Sequence, residues 1–410
     1  MSKIKVGEHI KIIPGFPFNS ALFNNDGDGL PLIRIRDLLA SKIETYYKGE
    51  FPKEYLIEQG DILIGMDGDF HIVKWRNKTK ALLNQRIMKV AQKEGAKINI
   101  EYFYYFLFPF LSEVWEKTTA TTVKHLSTYD VSEAEVEFPA FEVQQHIAKI
   151  LSTADAVIEK TQAAIAKYKA IKQGMLQDLF TRGIDLQTGK LRPRYEDAPE
   201  LYKESKLGWI PREWDDKELG DVGEVRMCRR VFNYETNDQG DIPFYKIGTF
   251  GKQPDAYISK ELYDSYRQQF SFPNKGDILI SAAGTIGRTI IYDGTPSYFQ
   301  DSNIVWIENN GELISNEYLY QVFQIVEYKT EGGTIQRLYN SILKSALFPC
   351  PPKPEQQLIT ERLKSIDNKL QTEQTYLQKM QSLKKGLMEN LLSGRKRVKV
   401  AEELITQNDN

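Results

Sequence analysis

The chain holds two cysteines, Cys228 and Cys350, and four histidines, His9, His71, His125 and His146, in 410 residues. Two cysteines exclude a disulfide framework, and the scattered histidines offer no zinc-ligand spacing, so no metal site is expected. Long apolar runs are also missing. The segment from Tyr102 to Leu111 is too short to cross a bilayer, and Met1-Ser2-Lys3-Ile4-Lys5 opens no apolar stretch with a small-residue cleavage site. A cytoplasmic protein without a membrane partner is expected. No Gly-x-x-x-x-Gly-Lys-Ser/Thr occurs, which argues against ATP hydrolysis by this chain. No Gly-x-Gly-x-x-Gly opens a helix after a strand, and Gly284-Thr285-Ile286-Gly287 and Gly65-Met66-Asp67-Gly68 read as turns. Neither sign of charge is in excess: 54 Lys and Arg face 56 Asp and Glu. Nucleic-acid binding would therefore have to come from local clustering.

What is present folds. With 41% hydrophobic and 27% charged residues the composition is that of globular proteins, and the length suggests two or three domains. The chain is also an internal repeat at a shift of about 212 residues. Pro31-Leu32-Ile33-Arg34-Ile35 answers Pro243-Phe244-Tyr245-Lys246-Ile247, and Gly60-Asp61-Ile62-Leu63-Ile64 recurs as Gly276-Asp277-Ile278-Leu279-Ile280. Asn84-Gln85-Arg86-Ile87 answers Asp301-Ser302-Asn303-Ile304, Glu101-Tyr102-Phe103-Tyr104 answers Glu317-Tyr318-Leu319-Tyr320, and Thr122-Val123 with Leu126 answers Thr334-Ile335 with Leu338. Short β-rich runs, such as Ile33 to Ile35, Asp61 to Ile64 and Ile304 to Ile307, alternate with Gly/Asp/Asn turns.

Each half ends in a helical stretch introduced by proline and a Gln-Gln pair. In the first, apolar or small residues recur at Ile147, Leu151, Ala154, Ile158, Thr161, Ile165, Tyr168, Ile171, Met175 and Leu179. In the second, the same positions are Ile359, Leu363, Ile366, Leu370, Glu373, Leu377, Met380, Leu383, Leu387 and Leu391. A stripe at spacings of three and four is a coiled-coil seam. From Gln144 to Phe180, at about 1.5 Å per residue, each rod is about 55 Å long. The expected fold is α+β and multi-domain: two α/β globular regions joined by two long matched helices that can lie against each other as a coiled coil, with pseudo-two-fold internal repetition. The expected divisions are residues 1–138 (first globular region), 139–183 (first rod), 184–215 (a linker that docks), 216–350 (second globular region), 351–394 (second rod) and 395–410 (a flexible tail).

Active-site imitations are weak. Asn24, Asp26, Asp28 and Gly29 mimic half a calcium loop, but Ile35 stands where the bidentate Glu belongs, so a solvated turn is expected. Glu204-Ser205-Lys206 lies in the linker, and Asp67 and Asp69 read as turn-formers. No catalytic residue is expected. Local charge does stand out: Lys74, Arg76, Lys78, Lys80, Arg86, Lys89, Lys93 and Lys97 crowd a stretch whose only acid is Glu94, interleaved with Trp75, Asn77, Asn84 and Gln85. Arg pairs bidentately with guanine and Asn or Gln with adenine, while lysines grip phosphate. The second half offers Ser281, Thr285 and Arg288, then Gln300, Asp301, Ser302 and Asn303. A third pair of Thr/Gly-rich loops, Thr118 to Lys124 (with Thr121) and Gly332 to Arg337 (with Thr334), precedes the rods.

The doubled globular-plus-rod plan carries three phrases: Gly208-Trp209-Ile210-Pro211-Arg212-Glu213-Trp214 with Leu219-Gly220, the Gly-Asp-Ile-Leu-Ile pair, and the Gln-Gln rod starts. Together they resemble the specificity subunit of Type I restriction-modification systems. The Ile-Pro-x-x-Trp phrase is missing before the first half, where only Val6-Gly7-Glu8 is similar to Leu219-Gly220-Asp221. The resemblance implies a noncatalytic reader of double-stranded DNA with two target-recognition domains, each on one half of a split asymmetric site, and two long antiparallel helices that set the spacing. It implies two methylating subunits that bring S-adenosylmethionine, and restriction subunits that use ATP and Mg, with no cofactor on this chain. A protein-assembly adaptor, with protein-binding globular halves on coiled-coil rods, is the competing reading.

Overall fold

A computed structural model of the chain describes residues 2–40, 42–118, 123–328 and 337–398. Contacts divide it into two compact units, Met1–Gln162 with Thr375–Asn410, and Ala163–Gln374. The division cuts through both rods, so each unit holds one globular region and portions of both long helices.

In the first unit four strands, β1 (Ile10–Pro14), β2 (Ile62–Gly65), β3 (Ile72–Lys74) and β4 (Ile87–Gln92), form an antiparallel sheet in the order β1-β4-β2-β3. The run Ile62-Leu63-Ile64 is buried throughout because β2 is central and covered on both faces. A second sheet of short strands contains Leu30–Ile33 running parallel to Ala81–Leu83. Ile35, expected within a strand, instead starts a short 3-10 turn, because the Asp37 carboxylate accepts from Arg34 N (3.0 Å). Helix α1 (Ile100–Lys117) starts where Asn99 Oδ1 accepts from Tyr102 N (3.0 Å), and α2 (Phe141–Thr181) follows Pro139.

The second unit repeats this plan. Strands β5 (Gly223–Arg226), β6 (Ile278–Ser281), β7 (Thr289–Ile291) and β8 (Ile304–Asn309) pair in the order β5-β8-β6-β7. Ile242–Tyr245 runs parallel to Tyr298–Phe299, the counterpart of the parallel pair in the first unit. Helix α3 (Asn316–Val322) is capped by Ser315 Oγ, and α4 (Lys353–Leu392) follows Pro351 and Pro352. Mixed helix and sheet, arranged twice, makes the chain α+β.

The Gln-Gln pairs acquire a physical reason. Gln144 is fully buried; its Oε1 accepts from Asn99 N (2.8 Å), and its Nε2 donates to the carbonyls of Lys97 and Pro139 (3.0 Å each). Gln356, 2% exposed, repeats the set, with Oε1 accepting from Ser315 N (3.3 Å) and Nε2 donating to the carbonyls of Leu313 (3.1 Å) and Pro351 (2.9 Å). One side chain thus fastens the start of each long helix to the N-terminus of the shorter one. Gln356→Leu strands a buried N–H and two carbonyls and is expected to cost about 2–4 kcal/mol, measured as a fall in the midpoint of chemical denaturation.

Within each unit the portions of α2 and α4 run antiparallel. In the first, Lys384 Nζ meets Asp155 Oδ1 (2.6 Å), and Leu391 joins Ile147 and Leu151 in one core. In the second, Lys172 Nζ meets Asp367 Oδ1 (2.6 Å), and Leu179 shares a core with Ile359 and Leu363. Ile165 and Leu370 are buried; Ile158 and Leu377 are half-buried. Ile171 and Leu383, one position in two seams, correct the expected stripe: they are 39% and 49% exposed. The alternation of four and three continues through the next residue instead: Lys172 and Lys384, 18% and 22% exposed, take the inner position and bond Asp367 and Asp155 across the helix pair.

Residues 184–215 are an ordered connection. Tyr202–Ser205 and Gly208–Pro211 form an antiparallel hairpin, and Arg192 grips the buried Glu355 through two nitrogens (2.5 and 3.0 Å). Trp214 Nε1 (2.9 Å) and Ile184 N (2.6 Å) donate to the same carboxylate. After α4 the expected flexible tail is in part held: Val398 packs against the core of the first unit, and Lys396 N donates to Asn390 O (3.1 Å).

Candidate nucleic-acid interface

Three segments meet at one end of the four-stranded sheet in each unit: the loop leaving the central strand, the turn before the adjoining strand, and the segment leading toward the long helix. In the first unit Met66 N donates to Arg86 O (2.9 Å), Leu126 N donates to Met66 O (2.7 Å), and Asp67 bridges His125. In the second, Ala282 N donates to Asn303 O (2.7 Å), Leu338 N donates to Ala282 O (2.8 Å), and Ala283 bridges Arg337. One backbone frame is therefore built twice. What it carries differs.

On the first frame Asp67 uses both carboxylate oxygens. Oδ2 accepts from Arg86 Nη1 (3.0 Å), and Oδ1 lies 2.6 Å from His125 Nδ1. Arg86 keeps a backbone φ of 124°, a region that side chains rarely occupy, while its own side chain is 61% exposed. Beside it Trp115 Nε1 donates to Gly68 O (2.9 Å), Gly68 N donates to Lys124 O (3.0 Å), and Lys124 Nζ stands 3.5 Å from the centre of the Trp115 ring.

On the second frame Asp301, 16% exposed, accepts from Arg230 Nε (3.0 Å) and from Ser302 Oγ (3.2 Å). Arg337 Nη2 donates to Ser302 O (3.3 Å), and Gln300 Oε1 accepts from Ile247 N (2.9 Å). Arg230, Phe232, Lys246, Asn303 and Arg337 line a recess of about 350 Å³ above this turn.

The expected site residues separate under this geometry. In the basic stretch, acids distant in sequence answer most of the cations: Lys74 bonds Glu101 (2.6 Å), Arg76 bonds Glu159, Lys80 bonds Glu58 (2.5 Å), and Lys89, 12% exposed, bonds Asp61 (3.2 Å). Lys78 and Asn77 are exposed, and Asn77 Oδ1 accepts from Thr79 N (3.0 Å). Asn84 Oδ1 accepts from Gln85 N (2.8 Å), leaving the Gln85 side chain exposed beside Arg86. Ser281 is corrected outright. It is 2% exposed, its Oγ donates to Thr285 O (2.5 Å) and accepts from Arg288 N (2.9 Å), and it braces a turn where a reader would have to face outward. Arg288 is half-buried and donates to Phe250 O (2.9 Å), while Thr285 is exposed. Thr121 and Thr334 lie outside the described residues. Asp67, His125 and Arg230 carry no such signal in the sequence: Asp67 reads as a turn-former, His125 is a lone histidine beside Lys124, and Arg230 follows Arg229 far from the turn it meets.

Nothing here is poised as a thiol nucleophile. Burial pushes Cys228, two residues from Arg230, up to about 12, with a hydrogen bond from the Phe299 backbone in partial opposition, and burial pushes Cys350 up to about 11. Neither is expected to be alkylated in the native chain at neutral pH. Mass spectrometry after iodoacetamide should find both unmodified until denaturant is added. Among the described residues no group of three His, Cys, Asp or Glu is placed to hold a metal ion, and no helix is long and apolar enough to cross a membrane.

An α+β chain that displays one loop framework twice, each time with other side chains, has the plan of a recognition protein. A family model described as Type I restriction modification DNA specificity domain matches residues 1–168 and 211–382. A Haemophilus influenzae protein ascribed to the type I restriction enzyme specificity subunits is 39% identical over 343 residues, covering 81% of this chain and 79% of its own. The EcoBI specificity subunit of Escherichia coli is 29% identical, covering 89% and 78%. The S subunit of a Type I restriction-modification system from M. genitalium has a similar fold, with a TM-score of 0.60 at 14% identity over 95% of each chain. The chain belongs to the Type I restriction-modification specificity subunits.

Proposed function

We propose that this chain is the noncatalytic reader of a Type I restriction-modification complex, and that each globular region recognises one half of a split, asymmetric site in double-stranded DNA. The observation that carries this is the doubled frame: identical backbone bonds hold the Arg86 turn and the Asn303 turn, while Asp67, His125 and Arg86 on one are replaced by Ala283, Arg337 and Asn303 on the other. Equal scaffolds with unequal side chains suit two different short sequences read in one manner.

The long helices act as the ruler. Half-sites on one face of the duplex lie about 34–36 Å apart for one helical turn, and a coiled-coil pair about 55 Å long can hold two readers at such a separation. Two methylating subunits dock on this chain and supply S-adenosylmethionine, and they flip the target adenine out of the stack. Restriction subunits supply ATP- and Mg-dependent translocation and cleavage. The chain itself contributes sequence choice.

Exchange of residues 1–138 for those of a relative with another specificity tests the assignment. Adenine methylation in cells carrying the hybrid and its partner subunits is expected to change in one half of the recognised sequence alone. A change in both halves, or in neither, would contradict it.

A further inference from the structure

We infer that each unit reads a G·C pair with one carboxylate-braced arginine: Arg86 held by Asp67 in the first, and Arg230 held by Asp301 in the second. The inference rests on the reading just given and deepens it by naming the reading atoms and the base they take.

Four observations converge on Arg86. Four of the eight cations of the basic stretch pair with acids away from the frame, whereas Arg86 pairs with an acid that is part of it. Arg86 sits at the centre of the frame, its carbonyl accepting from Met66 N. Its backbone adopts a φ of 124°, and such strain is retained where a side chain must be aimed. Finally, Asp67 takes only Nη1, which leaves Nε and Nη2, one complete edge of the guanidinium, without a hydrogen-bond acceptor among the described residues, on a side chain 61% exposed. Two parallel N–H donors on that edge match the O6 and N7 acceptors of guanine in the major groove.

The second unit arrives at the same chemistry from different residues. Arg230 is also 61% exposed, and Asp301, on the turn corresponding to that of Arg86, takes its Nε. Both terminal nitrogens then remain as a two-donor edge. In each unit the carboxylate is the less exposed partner, at 23% for Asp67 and 16% for Asp301, so the acid is fixed and the arginine is aimed by it. Asp67 has a further anchor in His125 at 2.6 Å, and Asp301 in Ser302 Oγ at 3.2 Å. Each aspartate is thus a positioning residue. It holds a long side chain in one rotamer before the base arrives, so that less freedom is lost on binding.

The test uses the full chain assembled with its methylating partners and a pool of DNA duplexes of randomised sequence, captured and sequenced. The native complex is expected to enrich a split motif with a G·C pair in each half. Arg86→Ala should relax the choice at one G·C position in one half by about ten- to a hundredfold and leave the other half untouched, and Arg230→Ala should do the converse. Arg86→Lys keeps the charge but loses the two-donor edge, so the same position should relax while total DNA capture stays close to native. Asp67→Asn and Asp301→Asn should loosen those same two positions to a smaller extent; a merely structural role would loosen every position together. The untouched half of the motif serves in each variant as the check that the chain is folded. A split motif that keeps both G·C preferences in the alanine variants, or that loosens uniformly, overturns the inference while leaving the specificity-subunit reading intact. A native complex that enriches no motif overturns both.

Discussion

Glu355→Ala is expected to destabilise the chain by about 3–5 kcal/mol, because it leaves the Arg192 guanidinium buried without its counter-charge. Burial works against the Arg192 charge, and the hydrogen bonds and field of Glu355 outweigh it, so the group is held above its ordinary range. The carboxylate also accepts from Trp214 Nε1 and Ile184 N, so truncation orphans two further donors. Gly183, at φ 64°, closes over this cluster where a Cβ would lie 2.2 Å from both Glu355 and Trp214. Chemical denaturation of the full chain measures the loss. Replacing Glu355 and Arg192 together with leucines should recover only part of it, since the exchange removes the unpaired charge but still leaves Trp214 Nε1 and Ile184 N without an acceptor. A single alanine variant as stable as the native chain would show that the connection between the halves is not fastened by this charge cluster.

Removing four residues from each long helix, Ala164 to Lys167 and Gln371 to Gln374, is expected to bring the recognised half-sites closer by about two base pairs, with both half-site sequences unchanged. Four residues shorten a helix by about 6 Å and are close to one whole turn, so the contact face is rotated little. At about 3.4 Å per base pair this is about two pairs. Methylation mapping of the variant reads the gap directly. An unchanged gap, with methylation still present, would show that the helices do not measure the site.

Much of the architecture could be read before any coordinates, because it depends on short-range pattern. The repeats Gly60 to Ile64 and Gly276 to Ile280 lead into the two central strands, and the apolar stripes of α2 and α4 announce two long helices of one phase. Local pattern cannot say where a distant acid will fall. The basic stretch contains one acid in sequence, yet folding delivers Glu101, Glu159, Glu58, Asp61 and Asp67 to its cations. Ser281 looked like an exposed polar residue after a strand and proved to be a buried brace, because the turn at Thr285 closes onto its hydroxyl. Asp67 is the opposite case. Its neighbours Gly65 and Gly68 suggest only a turn, and its value lies in Arg86 and His125, which topology alone places beside it. The buried Gln144 and Gln356 stand between the two cases. The Gln-Gln signal was visible twice, while its purpose, to join the start of one helix to the carbonyls before another, required the fold.

The most direct test of the account is to map methylated adenine across a genome carrying this chain together with its partner subunits. The account predicts one motif in two unlike halves, separated by unread base pairs of fixed number, with a methylated adenine in each half. A continuous motif, a gap that varies from site to site, or methylation indifferent to sequence would contradict it.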